Sequence, residues 1–126
     1  MNRLAILIGQ GGVETAYKAL NIALAGAAMD TEVHVFCTFG GLSLLMKDLH
    51  YTMPPELEPF QDNLSKIPGV ADLRDMALES GINFIACQMT MDLMSVPPEA
   101  LIDGIQYAGA AAFLEQALGA SSTITF

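Results

Sequence analysis

The chain has 126 residues, 52% of them apolar, a mean hydropathy of +0.43, and 14 acids against five bases for a formal net charge of −9. That length suits one domain, residues 1–126, with a core that needs neither metal nor disulfide. Binding to nucleic acid or to an anionic membrane surface requires clustered Lys and Arg, which are absent, and no run reaches the ~18 apolar residues of a membrane span.

Arg3 ahead of Leu4–Ile8, with small residues at Ala25–Ala28, has the outline of an export signal. The apolar run is too short, however, and Glu14 and Lys18 interrupt the stretch that would have to be its hydrophobic region. A cytoplasmic location with both cysteines reduced is therefore expected. The surplus of Ala, Gly, Met and Leu predicts apolar surface buried between copies, a homo-oligomer. A partner docking by charge would carry a basic patch.

In chain order, Arg3–Ile8 reads as a strand buried on both faces. Gly9-Gln10-Gly11-Gly12 turns into a helix over about 13–29, with Glu14, Lys18 and Asn21 on one stripe and Val13, Tyr17, Leu20 and Leu24 on another. A strand over 32–39 ends at Gly40-Gly41, and a short helix over 42–47 comes after it. Residues 48–69 form a long excursion broken by Pro54, Pro55, Pro59 and Pro68, with one short helix around 59–66.

A helix over 70–80 stops at Gly81, the expected left-handed cap. The strand 82–87 and a helix over 89–94 come next, halted by Pro97-Pro98. A helical turn over 99–103, a strand over 104–108, a helix over 110–118 capped by Gly119, and a last strand over 122–126 complete the chain. Alternating strands and helices predict right-handed crossovers and a mostly parallel sheet covered on both faces.

Cys87 is the best chemical handle. It stands where a buried strand gives way to a helix, and the unpaired amides and positive end of a helix favour thiolate over thiol. In open parallel sheets, reactive groups gather beyond the carboxyl ends of the strands. The amides of Met89 and Thr90 would hold a negative sulfur. The plainer alternative is a small buried hydrophobe.

Cys37 alternates with Val33, Val35 and Phe39 and reads as core, with a resolving thiol for Cys87 as the rival. Cys87, Met91 and Met94 would share a helix face by i, i+4, i+7 spacing, a soft-sulfur set for copper(I) or ordinary packing. Gly9–Gly12 lacks the Lys-Ser/Thr of a phosphate loop, and a tight turn explains it. His50 could swing toward Cys87 from the excursion or simply face solvent, while His34 alternates against Cys37. Asp92 could orient the thiol or cap its helix.

The run Ala86-Cys87-Gln88-Met89-Thr90-Met91-Asp92-Leu93-Met94, continued by Glu99-Ala100-Leu101-Ile102-Asp103-Gly104, resembles the DsrE/DsrF-like family. The closest likeness is to its branch of DsrE-related, peroxiredoxin-like sulfur carriers. Phe36-Cys37-Thr38-Phe39-Gly40-Gly41-Leu42 is similar to that branch's aromatic–Thr–Phe–x–Gly–Leu segment, with Gly40 where Trp is frequent and Cys37 where an aromatic is. The resemblance runs from the first strand to the last helix.

It implies a three-layer α/β/α sandwich around a mostly parallel five-stranded sheet, assembled as trimers or hexamers. It also implies a sulfur carrier or sulfurtransferase relaying persulfide on Cys87, the one residue carried over; Met89, Thr90, Gly40 and Gly41 are expected beside it as the lining of the substrate site. No cofactor or metal is implied, and the partners would be sulfur-donor and sulfur-acceptor proteins. The alternatives are a non-catalytic oligomeric module with a structural cysteine, and a copper(I)-binding protein. A thiol peroxidase lacks support, because no resolving cysteine or peroxide-site motif is recognisable.

Overall fold

The apolar run Arg3–Ile8 becomes β1, and it has a strand on each side. In the computed structural model, which describes residues 2–126, the sheet has five strands in the order β4-β3-β2-β1-β5. The others are β2 (Glu32–Cys37), β3 (Asn83–Cys87), β4 (Gln106–Ala108) and β5 (Ser122–Thr125). All four pairings are parallel, as expected from strands separated by crossovers.

Alternation along the strands sends side chains to two unequal cores. On one face Ile6, Ile8, Val35, Cys37, Phe84 and Ala86 meet α1 (Val13–Ala28) and α2 (Val70–Glu79) through Leu20, Ala23, Leu73 and Ala77. On the other, Ala5, Phe36, Ile85 and Cys87 meet Phe113 of α4 (Ala110–Ala117). Helices on both faces make the three-layer α/β/α sandwich. Full burial of a side chain such as Leu20 or Phe84 contributes about 1.5–3 kcal/mol.

Most element ends fall within two residues of expectation, and the differences have local causes. Helical structure after β2 begins at Phe39, earlier than 42, because the Gly41 amide bonds back to the Thr38 carbonyl at 2.7 Å and opens a 3₁₀ stretch, Phe39–Leu45. The turn expected over 99–103 is the three-residue 3₁₀ helix Pro98–Ala100.

Gly81 does cap α2, with φ of 80°. Its amide reaches Leu78 and that of Ile82 reaches Ala77, each at 3.1 Å, the two bonds of a Schellman motif. Gly119 does not repeat this: the left-handed glycines among the described residues are Gly12, Gly81 and Gly104. The excursion carries a 3₁₀ helix, Glu58–Lys66, in which no side chain is buried. Nine residues is long for that geometry.

Candidate functional site

Because the strands are parallel, their carboxyl ends meet at one edge of the sheet, and both cysteines lie there. Cys37 closes β2 opposite Ala86, so Cys87 closes β3 one residue further along. With φ −68° and ψ 113°, Cys87 is extended and serves as the N-cap of α3 (Gln88–Leu93). The strand–helix junction read from the sequence is formed, though α3 has only six residues.

The Cys87 side chain is 4% exposed and packs with Ala5, Phe36, Ile85 and Phe113. Phe36 and Phe113 stack there, ring centroids 5.2 Å apart and planes at 18°. Sequence reasoning missed this aromatic lid, since Phe113 comes from a helix remote in the chain. A bulky reactant therefore reaches the sulfur only where α4 or the first turn of α3 yields.

Cys37 is fully buried in the opposite core, and burial pushes its thiol pKa up. It cannot act as a resolving thiol, because the sheet separates the two sulfurs. The proposed copper set is not assembled either. Met91 packs in the α1–α2 core while Cys87 packs in the other, and Met94 stands 52% exposed beside Phe39 and Val96. Among the described residues, no three His, Cys, Asp or Glu side chains converge on one point.

Thr90 is fully buried, and its Oγ1 accepts the Phe39 amide at 3.0 Å. That bond straps the turn after β2 to the first turn of α3. It also holds Phe39 at φ 45°, a left-handed conformation uncommon for an aromatic residue. Gly40 and Gly41 permit the turn to nest: a Cβ on Gly40 would lie 2.6 Å from the Gly11 nitrogen, and one on Gly41 would collide with the Ile8 carbonyl. Met89 projects into solvent at 63% exposure. With Phe39, Leu93 and Met94 it forms an exposed apolar rim around the junction.

Among the described residues, no imidazole accompanies the thiol. His34 is on the Cys87 face but four residues down the neighbouring pairing, about 13 Å away at ~3.3 Å per residue. Its Nε2 meets Glu32 Oε1 at 2.8 Å and its Nδ1 meets Asn83 Nδ2 at 3.0 Å. His50 is exposed, and its neighbours Leu49 and Tyr51 pack against the other core. Asp92 is exposed on α3.

Arg74 is the second residue that sequence reasoning missed. It is 6% exposed, and its Nη1 donates to the carbonyls of Leu44 and Met46 at 2.8 and 2.7 Å, pinning the end of the 3₁₀ stretch. Burial lowers its pKa from the ordinary arginine value. The clue was present: Arg74 falls on the apolar stripe of α2, four residues after Val70 and three before Ala77.

Residues 1–63 and 57–124 match the model of the DsrE/DsrF/DrsH-like family. The chain is 34% identical to the sulfur carrier protein DsrE2 of Allochromatium vinosum, over 90% of this chain and 91% of that protein. It is 30% identical to the uncharacterized protein YrkE of Bacillus subtilis, over 91% of each. Two solved structures share the fold, both with a TM-score of 0.66. The ychN protein from E. coli is 10% identical with full coverage of both chains, and MTH1491 from Methanobacterium thermoautotrophicum is 15% identical over 98% of this chain and 99% of that one.

Proposed function

We propose that this chain, which belongs to the DsrE/DsrF/DrsH-like family, is a sulfur carrier whose cargo rides on Cys87 as a persulfide. The observation that carries the reading is the likeness to a sulfur carrier along nine-tenths of the chain, in a fold whose one thiol on the α4 face sits at a strand–helix junction. The two matched segments overlap and together span residues 1–124, which supports one domain of this family.

The chemistry needs no metal and no cofactor. The Cys87 thiolate attacks the outer sulfur of a donor persulfide; a new S–S bond forms, the donor's S–S bond breaks, and the donor leaves as thiolate. An acceptor thiolate then attacks the terminal sulfur and Cys87 is released as thiolate. Amides at the start of α3, those of Met89 and Thr90 among them, receive the negative Cys87 sulfur before loading and after release, with the Gly40–Gly41 turn beside them.

Donor and acceptor proteins are the partners in this scheme. The exposed rim of Phe39, Met89, Leu93 and Met94 supports burial against further copies of the chain, as a homo-oligomer. Two unpaired thiols suit a reducing compartment, and the reading assigns the cytoplasm.

The 4% exposure of Cys87 favours one other reading, a core cysteine in a non-catalytic module. Exposure to a low-molecular-weight persulfide donor, then intact mass spectrometry, separates the two. The carrier gains one sulfur in the wild type and in Cys37→Ala, and none in Cys87→Ser. Equal loading of Cys87→Ser contradicts it.

A further inference from the structure

Met53, Leu57, Phe60, Leu64 and Ile67 recur at alternating spacings of four and three residues, an apolar seam in the sequence that the structure carries on the 3₁₀ helix Glu58–Lys66 and the irregular residues flanking it. All five line one groove, a cavity of about 540 Å³ whose facing wall is the Val13–Tyr17 side of α1. Among the described residues, nothing fills it. Phe60 is 58% and Ile67 47% exposed, and the excursion is tied at its far end by a hydrogen bond from Tyr17 Oη to the Pro68 carbonyl at 3.1 Å.

Charge narrows the choice of occupant. Residues 48–67 carry Asp48, Glu56, Glu58 and Asp62 against Lys66 alone, while Glu14 and Lys18 balance on α1. A second copy of the chain would bring another net charge of −9 to an already acidic surface.

We propose that this groove receives an amphipathic α-helix with basic flanks from a partner protein. The partner's apolar side chains seat between the Met53–Ile67 stripe and Val13–Tyr17, and its Lys and Arg side chains meet Glu14, Glu56, Glu58 and Asp62. The groove lies against α1, across the sheet from Cys87, so occupancy leaves the thiol free. The inference is independent of the sulfur-carrier reading.

The test uses the full chain and two fluorescein-labelled peptides of identical composition. One has Leu at the a and d positions of successive heptads and Lys elsewhere; the other is scrambled so that no apolar face forms. Anisotropy at about 0.15 M salt is expected to show the amphipathic peptide binding about tenfold or more tighter than the scrambled one. Phe60→Ser or Ile67→Ser should each weaken it about tenfold, and Glu58→Gln should flatten its salt dependence.

Met29→Ser, at a 77% exposed residue outside the groove, should change nothing. Equal binding of the two peptides, or binding indifferent to Phe60→Ser, overturns the proposal. So does a dimer in sedimentation velocity that Phe60→Ser dissolves, which assigns the groove to a second copy. Saturable binding of a fluorescent fatty acid, lost in Phe60→Ser and unaccompanied by peptide binding, assigns it to a small apolar ligand and overturns the proposal equally.

Discussion

Cys37 and Cys87 end neighbouring parallel strands yet belong to opposite faces of the sheet, the one packed toward α1 and α2, the other toward α4. Native protein treated with diamide is therefore expected to form no bond between them, and both thiols should remain titratable after unfolding. Burial raises the Cys37 pKa, so the folded state holds that proton more tightly than the unfolded chain. Stability is then intact below about pH 8.5 and falls as the pH rises past it. Cys37→Ala should cost about 1 kcal/mol at neutral pH and flatten the alkaline fall, as urea melts from neutral to alkaline pH would show.

Phe113 guards the Cys87 face through its stack on Phe36. Truncation to Ala should cost about 3–5 kcal/mol, a large share of the ~5–15 kcal/mol that holds a domain together. Phe113→Leu is the gentler probe. Iodoacetamide should modify Cys87 several-fold faster in this variant while Cys37 is unchanged, and an unaltered Cys87 rate would show that α4 does not gate the thiol.

The turn after β2 depends on backbone meeting backbone at Gly41, whose added Cβ would strike the Ile8 carbonyl. The Ile8 Cγ2 methyl lies close as well, but the two nearest atoms are backbone and cannot swing aside. Gly41→Ala should lower stability by about 1–3 kcal/mol or more, read as a fall in the urea midpoint. Gly9→Ala, where the nearest atoms lie at an ordinary 3.8 Å, should leave the midpoint nearly unmoved.

Glu32 bonds to His34 and to Arg3, and these partners hold its carboxyl below the ordinary pKa of 4.5. The folded state thus favours the carboxylate. Its stabilising effect is present above about pH 4.5 and is lost as the pH falls through the depressed value. Glu32→Gln should lower the thermal midpoint at neutral pH and shrink the difference from wild type in acid. A gap that stays constant with pH would assign Glu32 a role unrelated to its charge.

Where neighbours in the chain set structure, the sequence was readable. The uninterrupted apolar run of β1, the stripe of α1 and the Gly81 stop of α2 each depend on contacts a few residues away. The junction at Cys87 was readable for the same reason. Its packing was not, because the face to which a strand residue points is fixed by register with β2 and by α4 crossing over from β4 to β5.

The left-handed Phe39 was equally hidden, since Thr90, the residue whose hydroxyl holds it, lies 51 positions away. Arg74 shows its burial only through its place on the apolar stripe of α2, while the carbonyls it binds, Leu44 and Met46, lie 30 and 28 positions away. The seam from Met53 to Ile67 was masked by Pro54, Pro55 and Pro59, which break the helix that its spacing would otherwise suggest.

The most direct test lets both thiols compete within one molecule. Wild-type protein is loaded with a persulfide donor, blocked without reduction, digested and mapped by mass spectrometry. Added sulfur is expected on the peptide containing Cys87 and none on the peptide containing Cys37. Sulfur on Cys37 instead, or on neither, would contradict a relay through the strand–helix junction.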